Sequence, residues 1–406
     1  MPKRTSCALS TPTALLSLLL LCAACEDPSG PAHEAFATWL TEADYEFGDA
    51  PEQEVFFTVP FLRADPYRGR ILVRDRGDKQ ISAWTPDGSL LFVVGGDGEG
   101  PGEFTSPSRI YFAPDGGFSV RDDFGIRFTR YTADGELVET VLAQDGTLEH
   151  DGLMLTLEAP AADGYLGFPL TWAALELGDG GDPVERIAVV HATRSEVGQR
   201  RAPEPLFWLD IADRIQNTRF PDGTGLIGGQ PFTDADQARF LPGTAVAMRM
   251  RGLPPGTVDL IEVNAEGDTV WQRRLQLEPR PLTRDFLDAW MDEQLEWMAP
   301  ALSEWPEDVI REALNASVHK PEHLPAATGL VLTASGEVWV RTDEAEDTLR
   351  VHYAVRRGDT DSTPRRILLP EWLEIEDATD THVWGVRRDE MDLPRVTGRR
   401  LVPAGS

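Results

Sequence analysis

Histidine, cysteine and carboxylate side chains could carry chemistry in this sequence, and one histidine motif has a catalytic spacing. The segment His319-Lys320-Pro321-Glu322-His323 matches the H-x-x-E-H pattern of one class of zinc peptidase. That pattern requires a helix, which brings both imidazoles to one face. Because Pro321 breaks the helical hydrogen-bond ladder, we interpret the segment as structural.

Cysteine chemistry is restricted to the N-terminus, since Cys7, Cys22 and Cys25 all lie within the first 25 residues. The rest of the chain therefore has no thiol nucleophile, no thiolate metal site and no disulfide. The sequence also lacks the G-x-S-x-G motif of serine hydrolases and the glycine-rich motifs that bind phosphates. The residues thus predict no catalytic group, no cofactor and no metal.

Four aspartates recur at one position of a repeated pattern, directly after the second strand of each repeat: Asp75, Asp122, Asp343 and Asp389. Recurrence at one position favours a structural role, in which each carboxylate accepts backbone N–H groups of a turn. A catalytic site on similar repeats is expected to be asymmetric instead.

The candidate binding face consists of Glu99, Glu103, Asp122 and Asp123, which lie in loops after second and fourth strands. Such loops open on one side of a repeating β structure. Their summed negative charge predicts an electronegative face that attracts a cationic partner, which could be a basic peptide, a protein or a small ligand.

The composition supports a folded and strongly acidic protein. The chain has 406 residues, with 38 basic and 68 acidic side chains and a formal charge of −30. Its hydrophobic fraction of 41% is that of a globular protein. Because such a chain repels a phosphate backbone, nucleic acid is not an expected partner.

Short apolar runs separated by Asp-Gly turns repeat along the chain. Gly88, Gly116 and Gly135 each follow an aspartate between two such runs, which is a strong hairpin signal. Four strands and three turns in about 35 residues match one propeller blade. Six such repeats predict an all-β fold, a six-bladed β-propeller of four-stranded blades, over residues 46–402.

An N-terminal strand is expected to close the ring. The last repeat has three predicted strands, and the apolar segment Val55-Phe56-Phe57-Thr58 precedes the first repeat without a partner. Pairing the two would leave no open sheet edge.

A helical hairpin is predicted as an insertion between the fourth and fifth blades, over residues 283–316. Thr283 is a suitable N-cap, and apolar residues then recur at helical spacing. Its apolar face is expected to cover the propeller itself. The alternative is a docking element for a partner or membrane, with Trp297 and Trp305 facing outward.

The N-terminus has the features of a bacterial export signal. Lys3 and Arg4 precede a short apolar run, and Cys22-Ala23-Ala24-Cys25 provides small residues before a cysteine. The segment resembles a lipobox, with Cys22 where leucine is usual. It predicts a signal peptide over residues 1–24, a lipid on Cys25, and a tether over residues 25–45. The protein would then be secreted across the inner membrane and anchored by lipid in the cell envelope.

The linker at residues 98–104, with the sequence GEGPGEF, resembles the inter-blade linker of NHL-type repeats. Together with the lipobox, it is similar to bacterial six-bladed β-propeller lipoproteins of the TolB-like superfamily. Residues 321–325 and 385–390 also resemble the C-terminal part of that group. The resemblance implies the propeller fold more than any activity.

The sequence favours a non-enzymatic module that binds a ligand or a protein. The alternative is a metal-dependent hydrolase or lyase of lactonase type, because some related propellers hold a metal in the central channel. His191, His352 and His382 are its candidate ligands, but His191 and His352 are predicted on third strands, away from the channel. Three or more His, Asp or Glu side chains around the channel axis would favour the enzyme.

The lipid anchor can be tested by replacing the side-chain sulfur of Cys25 with oxygen. We expect Cys25→Ser to move the protein from the membrane fraction to the soluble envelope fraction, because acyl chains contribute about 0.8 kcal/mol per buried CH₂. Cell fractionation and immunoblotting measure this shift, with Cys7→Ser, which lies outside the lipobox, as the control. A Cys25→Ser variant that stays with the membranes would exclude a lipid on Cys25 as the anchor.

Overall fold

The computed structural model describes residues 36–47, 61–75, 77–123, 127–142, 153–171, 185–196, 203–298, 302–391 and 393–405. All of them belong to one unit that spans residues 33–406. The export signal, Cys25 and the proposed closing strand at residues 55–58 lie outside the described residues. No helix among the described residues is long and apolar enough to cross a membrane.

Consecutive antiparallel strands form four separate four-stranded sheets, and tight turns connect most of the strands. The first sheet contains β2 (Phe61–Ala64), β3 (Ile71–Asp75), β4 (Gln80–Trp84) and β5 (Leu90–Gly95). The second contains β6 (Pro107–Phe112), β7 (Phe118–Asp122), β8 (Arg127–Tyr131) and β9 (Leu137–Leu142). Gly88 and Gly116 have φ angles of 87° and 83°, which confirms the predicted Asp-Gly turns.

The third and fourth sheets are separated by an additional hairpin. The third sheet contains β10 (Leu153–Pro160), β11 (Gly164–Thr171), β12 (Arg186–Thr193) and β13 (Pro205–Asp210). The hairpin is β14 (Ile215–Arg219) and β15 (Gly225–Gly229). The fourth sheet contains β16 (Gln237–Leu241), β17 (Thr244–Arg249), β18 (Thr257–Asn264) and β19 (Thr269–Gln276).

The remaining strands form one eight-stranded sheet that has two antiparallel halves. One half is β20 (Gly329–Leu332), β21 (Glu337–Glu346), β22 (Leu349–Arg356) and β23 (Arg365–Pro370). The other is β24 (Glu374–Ala378), β25 (His382–Arg388) and β26 (Pro394–Pro403), completed by β1 (Ala37–Phe47). A short parallel pairing of β1 with β23 joins the halves.

An N-terminal strand therefore completes the last group of strands, as the sequence predicts, but it is β1. This strand pairs with β26 in antiparallel fashion from Trp39 to Phe47. Most of β1 lies in the segment that the sequence assigns to the tether. Its residues are largely polar and exposed, and only Phe47 is buried, so the strand has a weak hydrophobic pattern.

The sheets are arranged as the blades of a β-propeller. First strands of neighbouring blades contact one another, as β24 does with β2 and β20. The apolar residues that fill the space between blades include Trp84, Trp339 and Trp384, all almost fully buried. The first strands are therefore the innermost elements, and their side chains surround the axis.

Helices α1 (Arg284–Met298) and α2 (Glu307–Ser317) form the predicted insertion between β19 and β20. The Thr283 hydroxyl accepts the N–H of Phe286 at 3.2 Å, as an N-cap does. The apolar faces of the helices pack on Phe220 and Phe232, beside the β14–β15 hairpin.

The two tryptophans of the insertion differ in exposure. Trp305 is half-buried and stacks on Phe220 at 5.5 Å between ring centroids, so it does not face outward as the docking alternative expects. Trp297 is 77% exposed. The apolar side of the insertion therefore covers the segment around the β14–β15 hairpin, and none of the residues in this apolar cluster belongs to a blade strand.

Asp377 is a fully buried carboxylate that connects three groups of strands. It accepts the N–H of Ala64 at 2.9 Å and that of Ala334 at 2.7 Å. It also accepts the N–H of Ala378 and forms an ion pair with Arg63, with Nε 2.9 Å from Oδ2. These bonds join β2, the β20–β21 turn and β24 around one side chain.

We expect Asp377→Ala to lower the free energy of unfolding by about 3–5 kcal/mol, because it leaves a buried guanidinium and buried N–H groups without their acceptor. Urea unfolding monitored by tryptophan fluorescence measures the change. Asp380→Ala is the matched control: its carboxylate is exposed and pairs with Arg356 on the surface, so its loss should cost less than about 1 kcal/mol. Equal effects of the two substitutions would contradict this role.

Candidate functional site

A cavity of about 340 Å³ lies between the innermost strands. Its walls come from the first strand of every blade and of both halves of the eight-stranded sheet, namely β2, β6, β10, β16, β20 and β24. It is the central channel of the propeller. Every blade contributes to it, so its composition is a property of the whole ring.

Apolar side chains form part of the channel wall. Phe61, Phe168 and Phe240 line it together with Ile110 and Val331. Phe168 and Phe240 are in edge-to-face contact, with 4.9 Å between ring centroids. These rings offer a surface on which the apolar part of a small molecule could pack.

Four arginines and two glutamates are the charged groups of the wall: Arg63, Arg109, Arg239, Arg341, Glu158 and Glu376. Arg63 comes from β2, Arg109 from β6 and Arg239 from β16, and each is the charged residue of a first strand. Arg341 comes from the second strand β21. The channel thus has an excess of positive charge in a chain whose formal charge is −30.

The arginines differ in how well the protein neutralises them. Arg63 is paired with the buried Asp377. Arg109 Nε is 3.9 Å from Oε2 of Glu158, a distant pair that Glu158 shares with Arg121 at 3.8 Å. Across the part of the chain that the structure describes, no carboxylate lies within ion-pair distance of Arg239 or Arg341. These two guanidinium groups are therefore the least compensated charges of the wall.

Arg239 is accessible to water in the channel, yet protein surrounds it. This partial desolvation, with the positive charges of Arg109 and Arg341 nearby, lowers its pKa from the ordinary value. The Glu158 carboxylate acts in the opposite direction and is not sufficient to reverse the effect. Arg109 and Arg341 thus both disfavour the charged form of Arg239.

Gly329 provides the space that Arg341 occupies. The two residues are directly opposite in the pairing of β20 with β21. A Cβ atom on Gly329 would lie 3.1 Å from Nε and 3.2 Å from Nη2 of Arg341. Nε also donates weakly to the Thr328 hydroxyl at 3.4 Å. The absence of a side chain at residue 329 therefore lets this guanidinium lie against the strand at the channel wall.

Glu376 is the channel carboxylate with an altered acidity. Desolvation by the surrounding protein raises its pKa from 4.5 to about 7, with Glu374 and Asp377 acting in the same direction. Arg74 and Arg109 oppose this rise. The positive charge of the channel therefore increases as the pH falls through neutrality.

The candidate histidine ligands do not line the channel. His191 and His352 lie on the third strands β12 and β22, as the sequence predicts. His191 pairs with Asp163 and His382 with Asp44, at 3.1 and 2.9 Å. His352 is 2% exposed, and burial lowers its pKa to about 4.

The described residues contain neither a cluster of metal ligands nor the helix that the zinc-peptidase motif requires. Among them, no three His, Cys, Asp or Glu side chains are grouped closely enough to hold a metal ion. The motif at residues 319–323 begins after the end of α2 and is not helical. Its backbone instead bonds Gln230, which accepts the N–H of His319 at 2.8 Å.

Two of the four aspartates that recur after second strands bond backbone groups of the turn that follows. Asp75 accepts the N–H of Gly77, and Asp389 accepts those of Met391 and Leu393. These contacts agree with the structural role that their recurrence predicts.

Asp122 is fully buried and bonds the linker that precedes its blade. Its carboxylate accepts the N–H groups of Thr105 and Ser106, and it forms an ion pair with Arg127 at 2.6 Å. Asp122 is therefore occupied by the fold. The adjacent Asp123 is more exposed and pairs with Arg121 at 2.7 Å.

The glutamates of the candidate binding face differ from one another. Glu99 is exposed, and none of the described groups bonds its carboxylate. Glu103 is also exposed, but its Oε2 accepts the N–H of Gly100 at 2.8 Å. A Cβ on Gly98 would overlap that carboxylate, so the linker is shaped around Glu103. Glu103 therefore also has a structural role in the linker.

The channel arginines are the feature that sequence reasoning missed. A signal was available: Arg63, Arg109 and Arg239 each interrupt a short apolar first strand, where an apolar residue is the expected choice. An arginine at the same structural position of several blades indicates that these side chains meet at the axis.

Solved structures of other proteins resemble this chain in fold at low identity. A candidate exported protein from Bacteroides fragilis is 9% identical, with 91% of this chain and 99% of that chain covered and a TM-score of 0.45. A gluconolactonase from Xanthomonas campestris is 11% identical, with 92% of this chain and 99% of that chain covered and a TM-score of 0.37. The Swd1 β-propeller domain from Myceliophteria thermophila is 8% identical, with 88% of this chain and 99% of that chain covered and a TM-score of 0.39. No family model and no curated protein matches the chain.

The raised pKa of Glu376 has a consequence for stability. Its folded-state pKa of about 7 lies above the ordinary value of 4.5, so its stabilising effect is full below the ordinary value and is lost as the pH rises through 7. Glutamine does not ionise, so Glu376→Gln does not lose stability in this way as the pH rises. We expect the melting temperature of the variant, relative to wild type, to be higher at about pH 8 than at about pH 5.

Differential scanning fluorimetry at the two pH values measures this difference. Glu371→Gln is the control, since Glu371 is exposed on the surface, where it pairs with Arg350. A difference between wild type and Glu376→Gln that does not change with pH would show that Glu376 ionises at its ordinary pKa.

Proposed function

We propose that this protein is an exported, lipid-anchored six-bladed β-propeller that binds a small ligand in its central channel without transforming it. One observation carries the proposal: the first strands of all the blades converge on one cavity of about 340 Å³. Ligand sites in proteins are commonly concave, largely apolar and equipped with a few polar groups, and their volumes begin at about 300 Å³.

The blade number in this proposal follows from the two halves of the eight-stranded sheet. Counted as separate blades, they add two to the four separate sheets. The lipid anchor rests on the Cys22-Ala23-Ala24-Cys25 segment and on the basic and apolar residues before it. Export and anchorage would present the channel to molecules of the cell envelope.

A metal-dependent hydrolase or lyase is the alternative activity for the same channel. It would need several carboxylate or imidazole ligands around the axis. Glu158 and Glu376 are the channel carboxylates in the described wall, and each has arginines near it. This wall supports binding better than metal chemistry.

The acidic face stays a second candidate surface, for a cationic partner. The exposed carboxylate of Glu99 favours it, since no described group of the fold bonds that carboxylate. Asp122 bonds the linker and is buried, so it adds negative charge to this face but cannot contact a partner.

A channel-filling substitution tests the proposed site. Three probes share one ring and differ in charge: benzoate, benzyl alcohol and benzylamine. Saturation-transfer NMR detects their binding to the purified chain. We expect Val331→Trp, which places an indole in the channel, to weaken the binding of at least one probe by about tenfold or more.

Val270→Trp is the matched control, because Val270 is exposed on β19 and does not line the channel. It should bind the probes as wild type does. If Val331→Trp does not fold, Phe240→Ala, which enlarges the cavity, replaces it. Probe binding that is equal in all of these variants would place the ligand site elsewhere. Turnover of a lactone that disappears with Val331→Trp would favour the enzyme.

A further inference from the structure

The charge of the channel is opposite to the charge of the chain. Acidic side chains outnumber basic ones by 68 to 38 over the whole sequence. In the channel wall, four arginines face two glutamates. Arginines gathered at one place in such an acidic chain need a specific explanation.

Three of these arginines lie close together without an equivalent set of carboxylates. Arg239 is near enough to Arg109 and Arg341 for both to destabilise its charged form. Like charges in a partly desolvated space repel each other more strongly than they do in water. An anion between the guanidinium groups would offset this repulsion.

The carboxylates of the channel wall do not fill that role. Glu158 lies between Arg109 and Arg121, at 3.9 and 3.8 Å, and has no ion pair with Arg239 or Arg341. Glu376 has a pKa of about 7, so its charge is incomplete at neutral pH. The arginines that favour its charged form are Arg74 and Arg109.

The backbone is adapted to one of these arginines. Gly329 faces Arg341 across the strand pair, and a Cβ at residue 329 would require the guanidinium to shift by a few tenths of an ångström. Gly329 does not have a positive φ, so the turn chemistry that commonly requires glycine is not its reason. What this glycine provides instead is space for the guanidinium of Arg341.

We infer that the channel binds a small organic anion, whose carboxylate or phosphate lies among Arg109, Arg239 and Arg341 and whose apolar body packs on the channel phenylalanines. This inference rests on the proposed function and adds the chemical class of the ligand. Guanidinium groups bind both oxyanions through paired N–H donors. Phe61, Phe168 and Phe240 supply the apolar contact surface.

Isothermal titration calorimetry with benzoate, phenyl phosphate and benzylamine tests the inference. We expect one or both anions to bind wild type at least about tenfold more tightly than benzylamine. Comparing the affinities of phenyl phosphate and benzoate distinguishes a phosphate ligand from a carboxylate ligand. Inorganic phosphate, which has no ring, should bind more weakly than phenyl phosphate if the phenylalanines take part.

Arg239→Gln should weaken the binding of the preferred anion by about tenfold, because it removes a charged donor. Glu376→Gln should strengthen it, because it removes the opposing charge. Arg284→Gln is the matched control: Arg284 is exposed on α1, and its loss should leave the affinity unchanged. Melting temperatures establish that each variant is folded, and Arg341→Gln replaces Arg239→Gln if that variant is not.

Gly329→Ala adds a test that does not alter charge. The added methyl group requires the Arg341 guanidinium to shift by a few tenths of an ångström, so the anion should bind more weakly than to wild type, but by less than Arg239→Gln causes, while benzylamine is unaffected. Tighter binding of benzylamine than of either anion, in a manner that Val331→Trp abolishes, would overturn the anion inference and leave the channel as the site. Binding of all probes that is indifferent to Val331→Trp would instead overturn the proposed function itself.

Discussion

The pairing of β1 with β26 is the contact on which the other features of the ring depend. It joins residues near the two ends of the described chain and gives the last group its fourth strand. Without it, the hydrogen-bonding edge of β26 would be open. Asp377 lies on β24, the innermost strand of the same group, and bonds the backbone of Ala64 and Ala334. Closure and this buried carboxylate together hold the first strands at fixed distances from the axis, and the channel exists only at those distances.

The channel also shows why net charge is a poor guide to a binding site. The formal charge of −30 describes the whole chain, most of whose acidic groups face water. Their mutual effects are screened over about 10 Å at moderate ionic strength. Arg109, Arg239 and Arg341 line one cavity, so they act on an anion inside it at much shorter range than the surface carboxylates do. A small anion that enters the channel therefore experiences the local arginines more than the acidic surface.

The sequence predicts much of the architecture and little of the channel. The Asp-Gly turns of the first two blades, the last three strands and the helical insertion could be identified, because each has a local hydrophobic period or a turn signal. The strand β1 could not, since its partner is β26 and most of its side chains are exposed. The arginine cluster could not be predicted either, because Arg109, Arg239 and Arg341 come from three different blades. Their proximity depends on how many blades close the ring, which is a property of the whole chain.

The same cluster bears on the choice between binding and metal chemistry. A divalent cation at the channel axis would have to approach several guanidinium groups, and at an effective dielectric constant of about 20 a pair of unit charges about 4 Å apart already interacts with about 4 kcal/mol. Carboxylate ligands would have to outweigh that repulsion. Glu158 is engaged with Arg109 and Arg121, and the pKa of Glu376 is raised to about 7. For an anion, the same arginines are attractive and the same phenylalanines exclude competing water. One set of side chains thus opposes a metal and favours an organic anion.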